Sequence, residues 1–149
     1  MKRQPRITIV TPNYNGSEYL ERCIESVLRQ EYENLQYIVI DGGSTDGSLA
    51  VIERYREQID YWVSEPDAGP ADAIRKGFSL ADGQWLGWLN SDDCLYPGAL
   101  NALSEIFAAS PSARWVTGCR VVVTADGTPT KHGGHWYENG LNHIVRDAQ

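Results

Sequence analysis

The sequence has little of what would mark a disulfide scaffold, a zinc protein, a membrane span or a nucleic-acid binder. Its three cysteines, Cys23, Cys94 and Cys119, are scattered, odd in number and lack C-x-x-C spacing, which fits a reducing compartment and offers no zinc site. No apolar run reaches transmembrane length, and the basic start MKRQPRITIVTP leads into no apolar signal-peptide core. Basic charge is also short, with 13 Lys and Arg against 20 Asp and Glu and a net charge of -7. A nucleic-acid backbone needs a basic stripe, so this balance argues against such a partner. It leaves a nucleotide open, because a divalent cation can offset a diphosphate locally. No G-x-G-x-x-G follows the first apolar run, no internal repeat is present, and no low-complexity linker divides the chain. The expectation is a soluble, cytoplasmic domain. Peripheral attachment to the inner face of a membrane stays open, as does any anchor beyond residue 149.

What is present is an alternation of short β-branched runs with longer amphipathic stretches. Strands are predicted at Ile7 to Val10, Leu35 to Ile40, Ile59 to Val63, Gln84 to Leu89 and Trp115 to Val123. Between them lie helical stripes. The first carries Leu20, Cys23, Ile24, Val27 and Leu28, with Asn15 or Ser17 as N-cap. The second carries Leu49, Ile52 and Tyr55; the third runs from about Pro70 to Leu80; the fourth opens at Pro97 and carries Leu100, Leu103, Ile106 and Phe107. Strand starts recur at about the ~30-residue interval of a βαβ unit. This pattern predicts an α/β fold: an open, mainly parallel sheet with helices on both faces. After Gly127 the pattern weakens, and the tail reads as a hairpin followed by irregular chain. The organisation expected is one α/β domain over residues 1–127 and the start of a second segment over 128–149.

In such sheets ligands bind beyond the carboxyl ends of the strands, and the polar residues gather there. The first strand leads into Thr11-Pro12-Asn13-Tyr14-Asn15, the second into Asp41, the third into Glu65-Pro66-Asp67 and the fourth into Asn90-Ser91-Asp92-Asp93. Mg²⁺ and Mn²⁺ prefer oxygen ligands, and Mg²⁺ commonly takes one or two carboxylates together with substrate phosphates. Asp92-Asp93 fits that use. The competing reading is a helix N-cap, which acids before a helix often supply.

Four segments in order make the chain resemble family 2 glycosyltransferases of the GT-A, Rossmann-like fold. They are Ile-Thr-Ile-Val-Thr-Pro-Asn-Tyr-Asn-Gly, Ile-Asp-Gly-Gly-Ser-Thr-Asp-Gly, Glu-Pro-Asp-Ala-Gly-Pro-Ala-Asp-Ala-Ile-Arg-Lys-Gly-Phe and Leu-Asn-Ser-Asp-Asp. The resemblance covers about residues 6 to 127. It implies an enzyme of cell-wall or polysaccharide synthesis that moves a sugar from a UDP- or dTDP-linked donor to a saccharide or lipid-linked acceptor. It further implies inversion at the anomeric carbon and assistance by Mg²⁺ or Mn²⁺.

Carried onto this sequence, the resemblance sets Thr11, Pro12 and Tyr14 against the nucleobase, with Asp41 accepting a hydrogen bond from the base edge. Asp72 would face the nucleotide from the third helix. Asp92 would meet the ribose or the metal, and Asp93 would bind the metal directly. Plainer readings exist beside these: Asp41 as a turn residue, Asp46-Gly47 as a helix start, and Glu65 and Asp67 as partners of Arg75 or Lys76 or as solvated charges. Asp72 could lie on the wet face of its helix. Trp85 and Trp88 read as core or interface. His132 and His135 read as loop residues, since no further ligand stands at zinc spacing.

A general base for the acceptor hydroxyl is not found in a matching motif. Glu138 and Asp147 qualify by residue type only, and the base is expected beyond residue 149, on the reading that the sequence is a piece of a longer chain. The rival functions are a nucleotide-sugar-binding module or pseudoenzyme lacking that base, and a nucleotidyltransferase. The latter usually carries a basic Gly-rich loop that Pro12 to Gly16 lacks.

Overall fold

Side chains on successive strand residues point to opposite faces of a sheet, and the two central strands are apolar on both. In the computed structural model, which describes residues 4–116 and 144–146, β1 (Ile7–Asn13) pairs in parallel with β2 (Leu35–Asp41), from Ile7 opposite Leu35 to Asn13 opposite Asp41. Ile7, Ile9, Tyr37 and Val39 enter one core with Leu20, Ile24 and Val27 of α1 (Ser17–Leu28), Val51 and Ile52 of α2 (Ser48–Tyr55), and Leu100, Leu103 and Phe107 of α4 (Ala99–Ala109). Val10, Ile38 and Ile40 enter a second, smaller core with Ala73 of α3 (Pro70–Ser79). Helices therefore cover both faces, and the near-continuous apolar runs of β1 and β2 are the consequence of double burial.

The sheet order is β3-β2-β1-β4-β6-β5, with β3 at Tyr61–Ser64, β4 at Trp85–Trp88, β5 at Trp115–Val116 and β6 at Ile144–Arg146. Pairings among the first four strands are parallel, whereas β6 runs antiparallel to both β4 and β5. The chain moves outward from β1 through β2 to β3, placing α1 and α2 on one face. It then returns past β1 to β4, so a right-handed crossover must put α3 on the other face.

The structure amends several sequence expectations. Helix α1 is capped by Gly16 without a side-chain bond, not by Asn15 or Ser17. Leu49 is exposed, and Val51 takes its place on the buried stripe of α2. Ile59 is buried but sits in the connection before β3, where its N–H bonds Tyr55 O. Pro97 precedes α4 by two residues, and Gly98 makes the entry turn at a φ of 78°. Of the predicted fifth strand only Trp115–Val116 lies within the described residues. The tail also supplies β6, which no period in the sequence signalled. The predicted hairpin after Gly127 falls on residues outside those described. Trp85 stacks on Phe107 with ring centres 3.4 Å apart, and Trp88 meets Phe78 edge-on at 6.4 Å, so both are packing residues.

Close approach of α3 to the sheet depends on Gly77. A Cβ there would lie 2.4 Å from Val10 Cγ1 and 2.7 Å from Val10 Cγ2. Alanine is favoured over glycine within a helix by about 1 kcal/mol, but overpacking a close-packed core costs roughly 1–3 kcal/mol. Gly77→Ala is therefore expected to lower the urea midpoint with little change in slope. A raised midpoint would show that α3 rides higher than this geometry has it.

Candidate functional site

Because β1, β2, β3 and β4 are parallel, their carboxyl ends leave the sheet on one edge, and strand order reverses between β1 and β4, the position where open α/β sheets form a crevice. Asn13 sits opposite Asp41, and Asp41 opposite Ser64, so three strand ends form one polar row. Asn90, Ser91, Asp92 and Asp93 follow β4 on the same edge.

Asp41 is the hub of that row. It is fully buried, and its carboxylate takes five donors: Asn13 Nδ2 at 2.7 Å and Ser44 Oγ at 2.5 Å on Oδ1, then Ser64 Oγ at 2.6 Å, Ser44 N at 2.9 Å and Gly43 N at 3.2 Å on Oδ2. Burial pushes its pKa up, but the bonds from Ser44, Ser64 and Asn13 outweigh that and hold it below the ordinary aspartate value. The bonds from Gly43 and Ser44 also make Asp41 shape the Gly42–Ser44 turn, as the turn reading had it.

Two loops at the edge are locked together by side chains. Asn15, at a φ of 50°, gives its N–H to Ser44 Oγ at 2.8 Å and accepts Thr45 N on Oδ1 at 2.9 Å. Asp46 bonds Ser17 N at the start of α1 at 2.8 Å, and Ser48 N and Oγ at the start of α2 at 3.0 and 2.7 Å. One exposed carboxylate thus serves two helix N-termini, where negative charge is favoured. The bonds from Ser48 and Ser17 hold its pKa well below the usual range. The helix-start reading of Asp46 captured half of this; the bond to α1 required the tertiary fold.

The other expected residues divide. Tyr14 stands 69% exposed just past β1, available to a flat ligand. Thr11 and Pro12 are buried, and Thr11 Oγ1 is hydrogen-bonded within the core to Tyr37 Oη at 3.0 Å, leaving only backbone for a ligand. Asp72 is partly buried in the first turn of α3. It holds Arg75 at 2.5 Å and Ala68 N at 3.3 Å, and its pKa is lowered chiefly by Arg75. Glu65 pairs with Lys76 at 2.5 Å, as one reading had it. Asp92 and Asp93 are both exposed, and Asp93 N bonds Asn90 O at 3.0 Å in a turn closing β4.

Among the described residues no group of three or more His, Cys, Asp or Glu could hold a metal by itself. Two adjacent rim carboxylates do fit a Mg²⁺ or Mn²⁺ shared with ligand phosphates, the usual arrangement for the smaller ion. His132, His135, Glu138 and Asp147 lie outside the described residues.

Asp67 is the residue whose role at this edge the sequence did not disclose. It is partly buried, and its carboxylate stands over Gly42: a Cβ at position 42 would meet Asp67 Oδ2 at 3.0 Å and Cγ at 3.2 Å. The signal available was the doubled glycine after Asp41, which opens space that an acid following the next strand can occupy. At the other end, Gly16 packs on Asn13, whose amide is oriented by its bonds to Asp41 and Ser44. Asn13 Oδ1 is buried without a hydrogen-bond partner among the described residues, and a Cβ at Gly16 would lie 2.4 Å from it. Cys23 lies below, its thiol pushed up to about 12 chiefly by burial, so it stays protonated and is a packing group.

Asp41, Asp46 and Asp72 all have depressed pKa values in the fold. Their contribution to stability is complete above the free aspartate value of about 3.9 and is lost as pH falls through the lower folded values. Urea midpoints are expected to hold from pH 7 to 5 and drop steeply below pH ~4, with a shallower drop in Asp46→Asn. Asp41→Ala leaves several buried donors unmade at ~1–3 kcal/mol each and is expected to lower stability by roughly 3 kcal/mol or more. A near-neutral Asp41→Ala would show that these bonds do not hold the edge together.

The match of geometry to known proteins is consistent along the chain. The family model described as glycosyl transferase family 2 matches residues 8–148. A hyaluronan synthase from Pasteurella multocida is 32% identical over 93% of this chain, which spans 14% of that protein. The putative teichuronic acid biosynthesis glycosyltransferase TuaG of Bacillus subtilis is 31% identical over 85% of this chain and 51% of its own length. Among solved structures, S. aureus TarS in complex with UDP-GlcNAc superposes with a TM-score of 0.77 at 18% identity, covering 95% of this chain and 45% of that one. The mannosyltransferase PcManGT from Pyrobaculum calidifontis, in complex with GDP-Man and Mn²⁺, does so at 0.70 and 24% identity, covering 80% of this chain and 36% of that one. These likenesses show the GT-A fold, and the match over residues 8–148 shows that the chain belongs to glycosyl transferase family 2.

Proposed function

We propose that this edge of the sheet binds a nucleotide-diphospho-sugar, UDP- or dTDP-linked, and that the protein of which the edge is part transfers the sugar to a saccharide or lipid-linked acceptor hydroxyl. The observation that carries the reading is the convergence of four parallel strand ends, with Asp92 and Asp93 on the β4 side of the crevice and the cross-linked loops after β1 and β2 on the other. A diphosphate brings two or more negative charges to a chain that is itself acidic. Binding it beside two exposed carboxylates requires a cation between them, so the charge pattern supports metal assistance.

In this reading Asp93 binds the cation and Asp92 reaches either the cation or the ribose. Tyr14 and the Thr11–Pro12 backbone flank the base, and Asp72 fixes the loop before α3 through Ala68 N and Arg75. A bound Mg²⁺ or Mn²⁺ would supply charge stabilisation for the departing nucleotide. The chain's own contribution is preorganisation: hydrogen bonds among Asp41, Ser44, Asn15 and Asp46 hold both loops before ligand arrives, which lowers the ordering cost of binding. Inversion at the anomeric carbon rests on family membership alone. The relatives named as hyaluronan synthase and teichuronic acid glycosyltransferase support an acceptor of polysaccharide type.

The test is calorimetry and thermal unfolding with UDP, dTDP and GDP, each with Mn²⁺ and with EDTA. A ligand at 100 times its Kd stabilises the native state by about 2.7 kcal/mol, so a clear rise in Tm is expected with UDP or dTDP and Mn²⁺. Asp93→Ala should weaken metal-dependent binding about tenfold or more, the loss of one charge-assisted contact, while leaving the protein folded. Equal affinity with EDTA and with Mn²⁺ would remove the metal from the proposal. An Asp93→Ala protein that unfolds but still binds normally would restore the turn-capping reading.

A further inference from the structure

We propose that Ser26 and Gln30 are positioning residues for the metal: from α1 they hold the main chain of the β4–α4 loop, so that Asp92 and Asp93 are presented together to a cation. The inference rests on the nucleotide-sugar reading and deepens its metal part.

Asp92 and Asp93 are exposed and lie between β4 and α4, where no strand pairing holds the chain. What holds it is a line of side chains on α1. Cys23 and Ser26, at i and i+3, share one face of the helix, and Gln30 follows just past the helix end. Ser26 Oγ accepts Leu95 N at 3.0 Å and donates to Cys23 O at 2.7 Å. Gln30 Nε2 donates to Tyr96 O at 3.0 Å and to Ser26 O at 2.9 Å, while its Oε1 accepts Leu100 N at 3.2 Å. The Cys23 thiol, packed in the core, also donates to Asn90 O at 3.4 Å, on the strand side of the acids. The two carboxylates are thus bracketed by bonds to α1, and the buried Leu95 seats the loop in the main core.

Local structure gives no reason for these residue types. A serine inside a helix competes with the backbone for hydrogen bonds and is poorer there than alanine, so the use of Ser26 lies in the loop it bonds. Gln30 is 3% exposed, where an amide must be hydrogen-bonded, and both ends of its side chain are used. Its Oε1 satisfies an N–H in the first turn of α4, which the N-cap residue Gly98 has no side chain to reach. Ser26 and Gln30 both act on the loop through its main chain, so they fix its path whatever its own side chains hold. Mg²⁺ demands near-ideal octahedral geometry, and partners that orient metal ligands are worth about 10–100-fold in metal affinity.

The experiment measures UDP affinity by calorimetry in Mn²⁺ and in EDTA, together with amide hydrogen exchange at Leu95 in the ligand-free protein. In Ser26→Ala the Leu95 amide loses its acceptor and should exchange faster. UDP affinity in EDTA should be unchanged, while the gain in affinity from Mn²⁺ should fall about tenfold. Ser26→Thr keeps the hydroxyl and should restore both slow exchange and the Mn²⁺ gain. Gln30→Met, similar in length but with no donor for Tyr96 O, should also cut the gain; if it does not fold, the two Ser26 variants decide alone. Faster Leu95 exchange in Ser26→Ala with an undiminished Mn²⁺ gain makes the line of bonds structural only and overturns the inference. A Mn²⁺ gain lost equally in Ser26→Thr overturns it too. A wild type that binds UDP equally in Mn²⁺ and in EDTA removes the metal from the proposed function, and this inference with it.

Discussion

The carboxyl edge of the sheet depends on one buried charge. Asp41 ends β2 and draws donors from β1, from β3 and from the turn that follows it. A carboxylate in such a place is tolerable only when hydrogen bonds replace its lost water, and five do. Each of those bonds also fixes something else: the Asn13 amide, the Gly43–Ser44 turn, and the register at Ser64. The cost of burying the charge is thus linked to the shape of the whole edge, and none of the partners can be altered in isolation.

Outward from that hub, the geometry explains how loops can make a defined site. Asn15, Ser44 and Asp46 tie the β1–α1 and β2–α2 loops through three hydrogen bonds that cross between them. Asp46 gains from both helix N-termini, so it opposes fraying in two elements with one side chain. Loops tied this way are held in place by the fold itself. Glycines do the complementary work of exclusion: Gly16 lets the chain pass against Asn13, Gly42 leaves room for Asp67, and Gly77 lets α3 settle onto β1.

Family membership and site geometry speak to different things. The family match and the GT-A neighbours describe a scaffold that this chain shares along nearly its whole length. Two carboxylates at β4 are exposed, one at β2 is sealed, and one from the β3–α3 loop lies over the end of β2. Four acids near one edge thereby differ in burial and in the donors that reach them.

The sequence by itself determined the layer order, the two-faced burial of β1 and β2, the four parallel strands and the edge on which polar residues collect. Those follow from local period and from residue type, because an apolar run of strand length has few ways to be buried. Several features were decided only by tertiary structure. Strand β6 comes from the tail to pair with β4, and such long-range pairing leaves no periodic mark in a three-residue segment. Asp41 and Asp67 are both acids at strand ends and look equivalent in the sequence. They differ in donors because Asn13 and Ser64 join the local Ser44 on Asp41, and only folding brings those two distant residues to one carboxylate.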